Sequence, residues 1–111
     1  MPEPIVQLKF KLSLPQGPNS TTVIVAGGAD ADRDGTVEDN GEYAAFTRNG
    51  NVWTHDQTVQ GPVSQMIFYV QATCGPHVPY ELEITDGAGA KLYKYDNVST
   101  DNVVAIRWWL L

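Results

Sequence analysis

Ile5-Val6-Gln7-Leu8-Lys9-Phe10-Lys11-Leu12-Ser13-Leu14 alternates apolar and polar side chains without a break. Val6, Leu8, Phe10, Leu12 and Leu14 fall on one face, with Gln7, Lys9, Lys11 and Ser13 on the other. A period of two does not fit a helix and defines a strand with one dry and one wet side. Pro15-Gln16-Gly17-Pro18 ends it, because two prolines and a glycine cannot continue a hydrogen-bonded ladder.

The rest of the chain extends this pattern. Thr21 to Ala26 reads as a second strand by its β-branched content, with Gly27-Gly28 turning the backbone out of it. Tyr43–Thr47 and Val52–His55 flank Arg48-Asn49-Gly50-Asn51. Asn-Gly favours a type I′ hairpin turn, and that turn predicts Phe46 opposite Trp53 and Ala44 opposite His55. Val63 to Cys74 forms a longer strand with Met66, Phe68, Val70, Ala72 and Cys74 on one side. Tyr80, Leu82 and Ile84 alternate with Glu81 and Glu83, Lys91–Tyr95 follows the Asp86-Gly87-Ala88-Gly89 turn, and Val103–Leu111 is a last strand. About eight strands with no segment of helical period predict an all-β fold, an antiparallel β-sandwich occupying 1–111 as one domain.

Composition narrows the function classes. The chain has 111 residues, 42% apolar and 18% charged, enough to bury a core without staples. Its formal charge of −6 opposes binding to nucleic acid or to anionic membranes through net charge. No apolar stretch reaches the roughly 20 residues that span a bilayer. The N-terminus lacks the basic-then-apolar pattern of a secretory signal, and the lone Cys74 cannot form an internal disulfide. Both point to a reducing, cytoplasmic setting.

The acidity is concentrated. Between Ala29 and Glu42 lie six carboxylates and one arginine, whereas the remaining 97 residues hold seven acids and six bases. Within this stretch Asp30, Asp32 and Asp34 alternate and Gly35 follows, the arrangement by which oxygen ligands surround a hard cation. Carboxylates about 4 Å apart repel by roughly 1 kcal/mol even in bulk water, so a cation would relieve the cluster.

This run resembles the calcium loop of the EF-hand family over nine residues. The resemblance implies side-chain ligation by Asp30, Asp32 and Asp34, the carbonyl of Thr36 at the seventh position, and Glu38 at the ninth. The pattern then departs: Gly41 stands where the bidentate glutamate belongs, and strands flank the loop where the family has helices. The expected site is therefore a Ca2+ loop carried between strands, closed by Asp39 or Glu42, or by Asp96 or Asp101 from another loop. The bland alternative is a solvated acidic turn.

Other chemistry is sparse. One cysteine and two histidines do not make a zinc set, and Cys74 with His77 lacks the orienting group of a nucleophilic pair. Glu81 and Glu83 read as the wet side of a strand. No nucleophile elbow or phosphate-cradling loop occurs, so no enzyme is expected.

The aromatic residues carry two further readings. Trp53, Tyr93, Tyr95 and Trp109 could offer a ring platform to a carbohydrate. Trp108 and Trp109 must point to opposite faces of the last strand, whose apolar character predicts either a covered central strand or an interface with a protein partner or a second copy.

Overall fold

The computed structural model describes residues 5–19, 23–31, 37 and 43–109, without the side chains of Ser64, Trp108 and Trp109. Among the described residues nine strands follow one another: β1 (Ile5–Ser13), β2 (Val25–Ala29), β3 (Ala44–Ala45), β4 (Thr47–Asn49), β5 (Val52–Gln60), β6 (Ile67–Ala72), β7 (Pro79–Asp86), β8 (Lys91–Val98) and β9 (Val104–Trp109). They form two antiparallel sheets, β4-β5-β1-β7-β8 and β3-β2-β6-β9. The fold is the expected β-sandwich.

The alternation in β1 decides which side is dry. Leu8, Phe10, Leu12 and Leu14 are buried at 1% exposure or less and meet Met66, Phe68, Val70, Ala72 and Cys74 from the facing sheet. On the wet side Lys11 lies opposite both Thr54 and Glu83, and Glu83 opposite Lys94. Opposite charges in neighbouring strands stabilise that face modestly.

Four local expectations are corrected. The hairpin turns on Gly50-Asn51, pairing Asn49 with Val52 and Arg48 with Trp53. Positive φ occurs at Gly50 and not at Asn49 or Asn51, the pattern of a II′ turn with glycine first. Phe46 then stacks on His55, with ring centroids 5.3 Å apart, and does not sit opposite Trp53. Second, β2 includes Gly27 and Gly28. A Cβ on Gly27 would collide with the Tyr69 carbonyl oxygen, so glycine there permits close strand approach. Third, Val63–Gln65 is a 3-10 turn and the following strand begins only at Ile67. Fourth, β9 is an edge strand among the described residues, not a covered central one.

The chain changes sheets at Phe46. Its backbone N–H donates to the Val25 carbonyl at 2.8 Å, so β3 pairs in one sheet while β4, immediately after, pairs in the other. A second link lies nearby. Gln57 points into the core from β5, and its amide donates to the Ala29 carbonyl at 3.0 Å and accepts from the Ala29 N–H at 2.8 Å. Because β3 pairs with Ala26 and Gly27 but stops short of Ala29, the amide takes the place of a neighbouring strand. Replacing it with Gln57→Leu leaves two buried peptide groups without partners. We expect a loss of about 2–4 kcal/mol in urea unfolding, with Thr58→Ala on the exposed side near neutral.

Candidate ligand-binding groove

The side of the sandwich opposite Phe46 is bounded by the edge strands β8 and β9. Alternation along β7 and β8 turns Tyr80, Tyr93 and Tyr95 toward the facing sheet, with Tyr93 opposite Ile84 and Tyr95 opposite Leu82. At an edge these rings run out of core to fill. Together with Ala105, Ile106 and Arg107 of β9 they line an open hollow of about 450 Å³. Tyr93 rests on Phe68 with centroids 4.6 Å apart, while Tyr95 lies 6.1 Å from Tyr80 and 6.5 Å from Tyr93. The Tyr95 hydroxyl accepts from the Asn97 amide at 2.7 Å.

A second hollow, about 290 Å³, lies on the outer face of the four-stranded sheet, lined by Val37, Tyr43, Tyr69, Gln71 and again Arg107. Tyr69 stands directly opposite Arg107, and Gln71 opposite Ala105. The hydroxyls of Tyr43 and Tyr69 both reach the Gln71 side-chain oxygen at 3.4 Å. All five tyrosines of the chain therefore line one of two hollows that meet at Arg107.

The phenols are held neutral. Burial, and next the proximity of Tyr95, push Tyr80 up to about 12. Burial and then Tyr95 raise Tyr93 as well. Both hydroxyls remain hydrogen-bond donors throughout the physiological range.

Of the ring residues expected at a ligand surface, Tyr93 and Tyr95 share the first hollow. Trp53 is core instead, 2% exposed, with the Arg48 guanidinium 4.8 Å from its ring centroid. Trp109 pairs through its backbone with Ile67, and its side chain lies outside the described residues. Tyr80 and Arg107 escape a sequence reading, since one looks like core in an alternating strand and the other like the wet side of another.

Among the expected metal ligands, Asp30 is described. It is 1% exposed at the end of β2, its N–H donating to the Ile67 carbonyl at 2.7 Å. Asp32, Asp34, Thr36, Glu38, Asp39 and Glu42 lie outside the described residues, and among those described no three acids, histidines or cysteines are grouped to hold a metal. Asp96 and Asp101 lie far from Asp30. Asp30 extends β2 at its Ile67 end, whereas Asp101 precedes Val104 at the Ala72 end, about 17 Å of strand away. Asp96 pairs with Glu81, which lies opposite Ser13, again far from the Gln57 end of its sheet.

Cys74 is fully buried and burial raises its thiol pKa, which suits a packing role. Comparisons with family models, curated proteins and solved structures gave no match.

His55 is the other titratable group set into the packing, between Phe10 and Phe46, with its Nε2 buried and unbonded among the described residues. Desolvation lowers its pKa below 6.5, opposed by the neighbouring Asp56. The unfolded chain therefore binds this proton more readily, and the folded state loses stability as pH falls below about 6.5. His55→Phe should narrow the gap between melting temperatures at pH 7.5 and pH 5. An unchanged gap would remove His55 as a source of the acid sensitivity.

Proposed function

We propose that this domain is a non-enzymatic binding module that takes a carbohydrate against the tyrosines of the β8/β9 groove. The convergence of all five tyrosines on two hollows that meet at Arg107 carries this reading. Tyrosine offers a flat apolar ring with a hydroxyl at its tip, which matches a sugar that is apolar on its C–H faces and polar at its rim. Planar amide and guanidinium groups supply the remaining donors, from Asn97, Gln71 and Arg107. The neutral phenols are suited to binding, not to proton transfer near neutral pH.

The acidic loop suggests a second activity, Ca2+ binding: the run Asp30-Ala31-Asp32-Arg33-Asp34-Gly35 offers oxygen ligands of the kind that ion takes. In this reading the ion orders residues 30–42, whose Val37 lines the second hollow.

Two measurements test these readings. On a glycan array the domain should retain neutral saccharides, and Tyr95→Ala should weaken the best of them by roughly three- to tenfold, the contribution of one aromatic contact. No retention of any glycan refutes the groove assignment. For the loop, EDTA should lower the melting temperature and added calcium restore it, an identical melt in both being the result that excludes the ion.

A further inference from the structure

We propose that the two hollows are successive subsites for one extended neutral oligosaccharide, which crosses the edge of β9 at Arg107. The inference rests on the carbohydrate reading of the first hollow. Arg107 and Ala105 belong to the outer side of β9, yet they line the same hollow as the inward rings of Tyr80, Tyr93 and Tyr95. The hollow thus wraps around the strand edge and does not end inside the sandwich. On the outer side Tyr69 is the direct cross-strand neighbour of Arg107, and the second hollow begins there. Each hollow repeats the same composition: tyrosine rings beside planar hydrogen-bonding groups, Asn97 near the first and Gln71 in the second, with the guanidinium common to both.

Repeated composition along a continuous surface fits a ligand whose own units repeat. Charge selects a neutral one. The chain carries −6, which opposes an anionic polysaccharide through net charge. A proline-rich peptide, another ligand that aromatic grooves accept, is the alternative that the binding experiment separates.

Chain length separates this proposal from the simpler one. Titration with malto- and cello-oligosaccharides of two to six units should show one series gaining tenfold or more in affinity between the disaccharide and the hexasaccharide. Tyr69→Ala and Gln71→Ala should weaken the hexasaccharide at least tenfold more than the disaccharide, whereas Tyr95→Ala should weaken both alike. Ring-proton shifts of Tyr43 and Tyr69 should respond to the hexasaccharide alone, a readout in the intact protein that needs no variant. Equal affinity at every length overturns the shared path and leaves the single groove standing. Binding of oligogalacturonates in place of both neutral series overturns the neutral path and leaves a carbohydrate groove standing, whereas binding of proline-rich peptides alone, or of nothing at all, overturns the two readings together.

Discussion

The sandwich is held shut on one side by an amide. Gln57 lies among apolar side chains, where an unpartnered polar group would cost roughly 1–3 kcal/mol, and it is tolerated because Ala29 presents both halves of a peptide group to it. Next to it the chain itself passes from one sheet to the other at Phe46. These two links keep the sheets together along the β3/β4 side. At the opposite side β8 and β9 are joined through the loop that contains Ser99, at the end of the strands. Ser99 is buried there, its hydroxyl donating to the Gly75 carbonyl at 2.7 Å and accepting from the Val78 N–H at 2.9 Å. The sheets are thus pinned along one side and at one end of the other, and the remaining gap is where the tyrosine hollow lies.

This asymmetry accounts for the aromatic composition of the hollow. A sandwich core thins toward its edges, where a leucine from one sheet no longer meets its counterpart. Tyrosine fits such a position because its ring covers core, as Tyr93 covers Phe68, while its hydroxyl reaches solvent or a polar neighbour. The same property that seals the side leaves a ring face available along it. Structural and recognition roles of Tyr93 are inseparable for that reason, whereas Tyr95, farther from Phe68 and hydrogen-bonded to Asn97, is freer to serve recognition alone.

The parts of this architecture that were legible in the sequence are those with uniform faces. β1 and β6 place apolar residues at every inward position, and apart from the half-buried Val6 and the additionally buried Ile67 their buried sets are the expected ones. β5 shows why others were not. Its inward residues are Trp53, His55, Gln57 and Val59, two of them polar, and the alternation dissolves beyond His55 although the strand runs to Gln60. Gln57 looks like a surface residue until the unpaired edge of Ala29 is placed beside it. The groove was illegible for a different reason: its tyrosines stand at 43, 69, 80, 93 and 95, and only strand pairing brings the first two alongside Arg107. Tyr93 and Tyr95, two apart in one strand, were the pair that local spacing could reveal.

The acidic loop bears on the groove through placement. Asp30 follows directly on Ala29, so the Gln57 amide and the Ile67 carbonyl fix the point from which the loop departs. Val37, midway along it, comes back against Tyr43 and Tyr69. In the calcium reading, the loop would bear on the shape of the outer hollow through Val37. The inner hollow is lined by residues of β7, β8 and β9, and in the proposed reading it would depend on the loop only through the shared Arg107. Linkage makes such an effect mutual: an ion that favoured the outer subsite would itself be held more tightly, by the same factor, when that subsite is filled.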